Sequence, residues 1–307
     1  MALVEAKDLC RSFGPVKALD GLNFSVDKGE IFGLMGPDGS GKTTCLRILC
    51  GLIRPTSGKA LVLGNDVDRD PEAIKDQIGY MAQPAKLYED LTVKENIELY
   101  ADLYQVPRDR YEQRMKRLLE FSGLAPFTDR LFRQLSGGMK QKVGLSCALI
   151  HTPAVLFLDE PTNGVDPVSR RDFWKILYEL HREGVTILVA STYLDEADRC
   201  HRVALFDRGK VRLVMDPLGL RRLVRGHLFD LKTSERRKAM KILKSSPRVV
   251  QASLFGAGIH FSLKEMEDRP GVENELASSG LIGFRVEPIQ PNLEDVYLSL
   301  VEGNREP

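Results

Sequence analysis

Residues 36 to 44 place the strongest constraint on the fold, and they read Gly-Pro-Asp-Gly-Ser-Gly-Lys-Thr-Thr. A glycine, four residues and then Gly-Lys-Thr is the spacing of a phosphate-binding loop. The apolar run Ile31–Met35 before it predicts a buried strand, and the face formed by Leu46, Leu49 and Cys50 after it predicts a helix. A strand, a glycine loop and a helix N-terminus together form an anion site, because backbone N–H groups and the helix dipole converge there.

Every residue of this loop is a candidate for nucleotide binding. Lys42 is expected to bridge the outer phosphates, and the hydroxyl of Thr43 to hold Mg²⁺. Asp38 puts a carboxylate into an anion-binding loop, so we expect its side chain to point away from the phosphates. The complete set is Gly36, Pro37, Asp38, Gly39, Ser40, Gly41, Lys42, Thr43 and Thr44.

The composition indicates an ordinary globular chain without a membrane span. Of its 307 residues, 28% are charged and 43% are hydrophobic, and the net charge is +1. The sequence has neither an apolar run of about eighteen residues nor the basic and apolar N-terminal segments of a signal peptide. The five cysteines form no C-x-x-C pair, which favours free thiols in a reducing cytoplasm over zinc or disulfides.

The order of predicted elements indicates an α/β core with an inserted helical region. Residues 3 to 35 alternate as antiparallel strands do, and the spacing becomes helical after the capping box that begins at Thr92. Another helix opens at Ser136, and the apolar run 154 to 158 predicts a strand that ends in Asp159 and Glu160. Carboxylates at the C-terminal end of a strand lie where open α/β sheets carry out their chemistry.

The tail predicts a second, small α+β domain. Its pattern is strand (227–232), helix (235–245), strand (249–255), strand (259–263), helix (271–279) and strand (282–287), an order that suggests a split βαβ arrangement. We therefore expect a nucleotide-binding domain over residues 1–216, with its helical subdomain at about 84–150, and a small domain over 217–307.

A basic stretch lies where the two expected domains meet. Between residues 208 and 248 there are thirteen Lys or Arg and three acidic residues. Such a run could bind nucleic acid or anionic lipid, but a solvated surface is the more common explanation, and we favour it.

With these pieces in place, the sequence resembles the nucleotide-binding subunits of ABC transporters. Leu-Ser-Gly-Gly-Met-Lys-Gln at 135 to 141 looks like the signature sequence of that family, and it is far more specific than the phosphate loop. The matching motifs run in the family's order from Phe13 to about residue 198. The resemblance implies a P-loop NTPase core of ABC type with an antiparallel β-subdomain and an inserted helical subdomain, followed by the small α+β domain.

The resemblance also implies a role for each matching residue, with ATP and Mg²⁺ as the ligands. Phe13 matches the aromatic residue that stacks on adenine, and Glu160 the glutamate that activates water. Thr43, Gln83 and Asp159 match the residues that hold Mg²⁺. Asp166 lies in a loop that contacts a facing subunit, and the signature residues that reach the facing subunit's ATP are Ser136, Gly137, Gly138 and Gln141.

The implied partners follow from the same family. A second ATP-binding domain, either another copy or a fused half, is expected to face this one so that ATP lies between them. An ABC-type membrane permease is expected to hold the pair at the inner face of the cell membrane. Drug-export ATPases, in particular the first of the two ATPase halves in YbhF-type proteins, are especially similar at residues 88–93 and 291–297.

One position departs from the family pattern. The family usually has a histidine that contacts the γ-phosphate after the strand at 185 to 190, and this sequence has Thr192 there. We therefore expect Thr192 to be a degenerate switch position, so that the isolated chain binds ATP and hydrolyses it slowly.

Two other classes of function remain open at this point. A soluble ABC ATPase acting on ribosomes or DNA would explain the basic stretch, but one hundred residues between Gly36 and Ser136 leave no room for long coiled coils. A regulatory module that holds ATP without turnover would explain Thr192. A transporter motor is the favoured interpretation, and a nucleic-acid partner is not expected.

Overall fold

A computed structural model describes residues 2–84, 87–224 and 226–302. The chain divides between Met215 and Asp216 into two compact units, each with its own hydrophobic core. No helix within these described ranges is both long enough and apolar enough to span a bilayer.

The first unit begins with an antiparallel sheet. Its strands are β1 (Ala2–Phe13), β2 (Val16–Asp27), β4 (Ser57–Val62) and β5 (Asn65–Asp66), in the order β2-β1-β4-β5. Alternation along β2 buries Leu22, Phe24 and Val26, as expected from the alternating pattern of residues 3 to 35.

A six-stranded sheet forms the centre of the same unit. Its strands are β3 (Ile31–Met35), β6 (Ile78–Met81), β7 (Val155–Asp159), β8 (Thr186–Ser191), β9 (Arg202–Asp207) and β10 (Lys210–Met215), in the order β10-β9-β3-β8-β7-β6. All pairs are parallel except β9 with β10. Every residue of β3, β7 and β8 is buried. Because these three strands are adjacent and parallel, their carboxyl ends meet at one edge of the sheet.

Three helices accompany the central sheet, namely α1 (Lys42–Leu49), α2 (Glu72–Lys75) and α6 (Pro167–Arg182). Helix α1 directly follows the glycine loop and buries Cys45, Leu46, Ile48 and Leu49 in the core that the two sheets share. The β9–β10 hairpin and helix α2 were not predicted from the sequence. The outer strand β10 has no fully buried residue, and only its first four residues alternate between exposed and partly buried.

The inserted helical region consists of α3 (Val93–Leu103), α4 (Arg108–Ser122) and α5 (Gly137–Leu149). The predicted capping box is confirmed, because the Thr92 hydroxyl accepts from the Glu95 N–H and the Glu95 carboxylate accepts from the Thr92 N–H. Gly123 ends α4 with φ 69°, in the left-handed region that favours glycine. The apolar faces of these helices share one core around Ile97, Leu119 and Val143.

The second unit contains α7 (Pro217–Arg221), β11 (His227–Lys232), α8 (Arg236–Ser245), β12 (Val249–Phe255), β13 (Gly258–Leu263), α9 (Arg269–Ser278), β14 (Arg285–Pro288) and α10 (Leu293–Glu302). Its strands pair antiparallel in the order β12-β13-β11-β14. From β11 to β14 the element order is the predicted βαββαβ. The last strand is shorter than expected, because Ile282 is exposed and Gly283 has φ 66°, so regular pairing begins at Arg285.

Some residues of the basic stretch form local ion pairs. Arg212 pairs with Asp207, Lys232 with Glu287, and Arg248 with Glu275. These ion pairs fit the solvated surface that the sequence analysis favours.

Candidate functional site

Two glycines of the loop between β3 and α1 leave no room for a side chain. Gly41 caps α1 with φ 107°, and a Cβ there would lie 2.7 Å from the carbonyl oxygen of Ala18. A Cβ on Gly36 would lie 2.3 Å from the carbonyl oxygen of Phe206. Asp38 is exposed, whereas Ser40 is buried and its hydroxyl has no hydrogen-bond partner among the described residues. The loop therefore contains a buried hydroxyl that the described residues leave without a partner.

Lys42, the first residue of α1, is folded back over this loop. Its ammonium donates to the carbonyl oxygens of Gly36 at 2.8 Å and Pro37 at 3.1 Å. It also lies 3.3 Å from the Glu160 Oε1, and both side chains are 5% exposed. A buried ammonium therefore links the glycine loop at the end of β3 with the carboxylate that follows β7.

The adjacent residue, Thr43, binds the other carboxylate. Its hydroxyl donates to the Asp159 Oδ1 at 2.9 Å, and the Tyr80 hydroxyl lies 3.5 Å from the Asp159 Oδ2. Burial raises the pKa of Asp159, while the Thr43 hydrogen bond acts in the opposite direction. Tyr80, which the sequence analysis did not identify, has its pKa raised to about 12, chiefly by burial. Oxygen atoms of this kind are the ligands that Mg²⁺ prefers.

Glu160 lies between Lys42 and Thr192. Its Oε2 accepts from the Thr192 backbone N–H at 3.0 Å and from the Thr192 hydroxyl at 3.2 Å. Glu160 itself has φ 48°, an uncommon conformation for a residue other than glycine. Burial raises the pKa of its carboxyl, while the Thr192 N–H and the Lys42 ammonium act against that rise. The predicted switch residue is therefore in direct contact with the predicted base.

Two further predicted residues lie apart from this hydrogen-bonded set. Gln83 is exposed two residues after β6, and in the described part of the chain it hydrogen-bonds to neither Thr43 nor Asp159. Phe13 ends β1 and is 46% exposed, with the guanidinium carbon of Arg11 4.5 Å from its ring centroid. One face of this ring thus packs against a cation.

The signature residues form the start of helix α5. Ser136 is its N-cap, where the hydroxyl accepts from the Met139 N–H at 3.4 Å. Ser136 and Gly137 are exposed, and a Cβ on the buried Gly138 would lie 2.7 Å from the Cβ of Ser169 in α6. The Gln141 Oε1 is buried without a hydrogen-bond partner among the described residues. An exposed helix N-terminus offers free backbone N–H groups to an anion.

Asp166 is the N-cap of α6. Its Oδ1 accepts from the backbone N–H groups of Val168 and Ser169, each at 3.0 Å. Hydrogen bonds from Ser169 hold the pKa of this exposed carboxyl below its usual range. The side chain thus fixes the start of α6, next to the start of α5.

Comparisons with known proteins agree with this geometry. The family model for ABC transporters matches residues 19–163. YbhF of Escherichia coli, a probable multidrug ABC transporter ATP-binding protein, is 41% identical over 285 residues, which are 92% of this chain and 49% of YbhF. DrrA2 of Streptomyces coeruleorubidus, a daunorubicin resistance ATP-binding protein, is 36% identical over 306 residues, which are 97% of this chain and 94% of DrrA2. This chain belongs to the ATP-binding proteins of ABC transporters.

Solved structures of ABC ATP-binding cassettes share the fold. An ATP-binding subunit of an ABC transporter aligns with a TM-score of 0.66 and 31% identity over 72% of this chain and 92% of its own. A dimeric ATP-binding cassette in a post-hydrolysis state, bound to ADP and Pi, aligns with a TM-score of 0.64 and 27% identity over 69% and 98%. The predicted ABC-type fold is thereby confirmed. This ABC ATP-binding chain spans about half the length of YbhF.

Proposed function

We propose that this chain binds and hydrolyses ATP as the motor of an ABC-type exporter whose membrane permease is a separate partner. The proposal rests on one observation: a hydrogen-bonded network connects residues that follow three different strands of the central sheet. Lys42 after β3, Glu160 after β7 and Thr192 after β8 are in contact through Glu160. A phosphate loop and a buried carboxylate connected in this way serve phosphoryl transfer to water.

The nucleotide would lie along the glycine loop. Backbone N–H groups of residues 36 to 44 and the Lys42 ammonium would bind its phosphates, and the free hydroxyl of Ser40 is a further donor. Phe13 is exposed on one side of its ring, so it would stack on adenine through the face that Arg11 does not cover. In this reaction the hydrolysed bond is that between the β- and γ-phosphates.

Thr43 and Asp159 fit a magnesium ion. Their oxygens are already 2.9 Å apart, and exposed Gln83 would be the third residue of the set. A bound Mg²⁺ would supply positive charge to the β- and γ-phosphate oxygens. Tyr80 would keep Asp159 in place beside Thr43.

Glu160 would act as the general base. Its carboxylate takes the proton of the attacking water while the water oxygen bonds to the γ-phosphorus and the bond to ADP breaks, which yields ADP and Pi. Burial favours this role, because it raises the pKa of Glu160 and so makes the carboxylate a better proton acceptor. Thr192 orients the carboxylate but offers no imidazole to the γ-phosphate, so slow turnover is expected.

A second ATP-binding domain would complete the site. Ser136, Gly137, Gly138 and Gln141 at the start of α5 would face the ATP of that second domain, and Asp166 would lie at the contact between the two. The chain would work at the inner face of the cell membrane, attached to its permease. Export is inferred from the similarity to YbhF, which is named as part of a probable multidrug ABC transporter, and to DrrA2, which is named for daunorubicin resistance.

An assay of Mg²⁺-dependent ATP hydrolysis tests the proposal. Glu160→Gln should reduce kcat by about 10²–10⁴-fold, since an amide cannot accept the proton. The matched control is Glu120→Gln, the same change on the exposed face of α4, which should leave kcat unchanged. Equal rates in Glu160→Gln and the control would contradict the assignment of the base.

Fractionation of cells tests the partner, because a transporter motor is recovered with membranes and a translation factor with ribosomes.

A further inference from the structure

One fully buried carboxylate lies outside the network described above. Glu196 belongs to a short 3-10 helix, Leu194–Arg199, that follows β8, and its exposed fraction is 0%. Its Oε1 accepts from the Thr162 hydroxyl at 2.7 Å and from the Trp174 indole N–H at 3.0 Å. Its Oε2 accepts from the Ser191 hydroxyl at 2.8 Å. Because a buried carboxylate requires donors, three separate segments are held together at this one side chain.

These donors flank the proposed catalytic groups. Thr162 follows Glu160 by two residues in the segment that leads to Asp166, and Ser191 directly precedes Thr192. The Ser191 hydroxyl also accepts from the Tyr193 N–H at 3.0 Å, so the chain is fixed on both sides of Thr192.

Helix α6 contributes to the same arrangement. Its Trp174 donates to Glu196, and the Nε of its Arg170 lies 3.9 Å from the Glu196 Oε1. The Arg170 guanidinium carbon also lies 4.0 Å from the centroid of the Tyr193 ring. The helix that begins at Asp166 is thereby joined to the segment that carries Thr192.

We propose that Glu196 is a positioning residue for ATP hydrolysis, an inference that rests on the proposed function. By holding Ser191 and Thr162, it sets the direction of the two Thr192 donors and hence the orientation of the Glu160 carboxylate. It also connects that orientation to the loop before Asp166. A substitution far from the substrate can reduce the rate of the reaction when it moves a catalytic group by about 1 Å.

Three substitutions that each delete one hydroxyl test this role. Thr162→Val and Ser191→Ala remove the two hydroxyls that bind Glu196. Thr186→Val is the matched control, because Thr186 is also fully buried and its hydroxyl accepts a single hydrogen bond from the Gly29 N–H at 2.9 Å, at the opposite end of β8. Thermal melts of all three variants measure the structural cost that they have in common.

We expect Thr162→Val and Ser191→Ala each to lower kcat by about tenfold or more while the affinity for ATP stays within about twofold of wild type. The control should change neither quantity. Wild-type kcat in both test variants, or an equal fall in the control, overturns the positioning role.

A second measurement does not depend on turnover. Trp174 is the single tryptophan of the chain, and its N–H bonds to Glu196, so its fluorescence reports on this network. ATP with Mg²⁺ should shift the Trp174 emission of the wild type, and Ser191→Ala should remove the shift while calorimetry still detects ATP binding. An identical shift in both proteins overturns the connection. If the wild type binds ATP without hydrolysing it, the proposed function is wrong. The emission shift would then still show whether ATP binding changes the surroundings of Trp174.

Discussion

Lys42→Ala should affect folding and nucleotide binding through two separable contacts. In the absence of nucleotide the Lys42 ammonium neutralises Glu160 at 3.3 Å and donates to the carbonyl oxygens of Gly36 and Pro37. When ATP is bound, the same ammonium is expected to contact its phosphates. Loss of the side chain therefore leaves a buried carboxylate without its cation and the phosphates without a charged donor.

The two costs can be estimated separately. Removal of one partner of a buried ion pair costs about 3–5 kcal/mol of folding free energy. In a unit of this size, Met1–Met215, that corresponds to a fall in melting temperature of about 10 °C. A charged hydrogen bond to phosphate contributes about 1.5–3 kcal/mol, so the Kd for ATP should rise about 10–100-fold.

The double variant Lys42→Ala/Glu160→Gln distinguishes the two effects. A neutral glutamine does not need a cation, so most of the lost melting temperature should return, while the Kd for ATP should stay raised. Thermal denaturation followed by circular dichroism and equilibrium titration with a fluorescent ATP analogue give the two quantities. Recovery of ATP affinity together with stability would refute the reasoning, because it would mean that Lys42 acts on ATP only through folding.

Three further predictions concern other groups. Burial raises the pKa of Asp159, so the contribution of this carboxyl to folding is favourable at low pH and is lost as the pH rises through the folded-state pKa. Asp159→Asn should therefore raise the melting temperature at pH 7 and make it depend less on pH, and a lower melting temperature would contradict this. Thr192→His should raise the steady-state rate of hydrolysis, by up to about 10²-fold, without much change in ATP affinity, and brisk wild-type turnover that the histidine leaves unchanged would rule out a degenerate switch position. Thr192→Ala removes a hydrogen bond that lowers the pKa of Glu160, so it should move the acidic limb of the pH profile of kcat to higher pH. His260 Nδ1 lies 2.7 Å from the buried Asp295 Oδ1, so Asp295→Ala should destabilise the second unit by about 1–3 kcal/mol and speed its hydrogen exchange, and unchanged exchange of β13 would argue against it.

The features predicted correctly from sequence depend on neighbouring residues. The glycine loop with its flanking strand and helix, and the capping box at Thr92, each occupy fewer than about twenty residues, so their signals are contained in a single window. The alternation in β2 is likewise local. In each case the physical cause lies within the segment itself.

The contacts that complete the site depend on the order of the strands. Glu160 and Thr192 are 32 residues apart, and Thr162 and Glu196 are 34 apart, and they meet only because β7 and β8 are parallel neighbours. Tyr80 reaches Asp159 because β6 pairs with β7. No local pattern specifies these pairings. The roles given to Ser136 and the rest of the signature remain predictions, because they require a second ATP-binding domain.

The central claim is that ATP binds between two such domains and that Glu160 triggers its hydrolysis. Gel filtration of Glu160→Gln with light scattering, in the presence and absence of ATP and Mg²⁺, tests both parts in one measurement. The account predicts a monomer without nucleotide and a stable dimer with ATP, because binding is retained and hydrolysis is blocked. A variant that stays monomeric with saturating ATP would contradict the account.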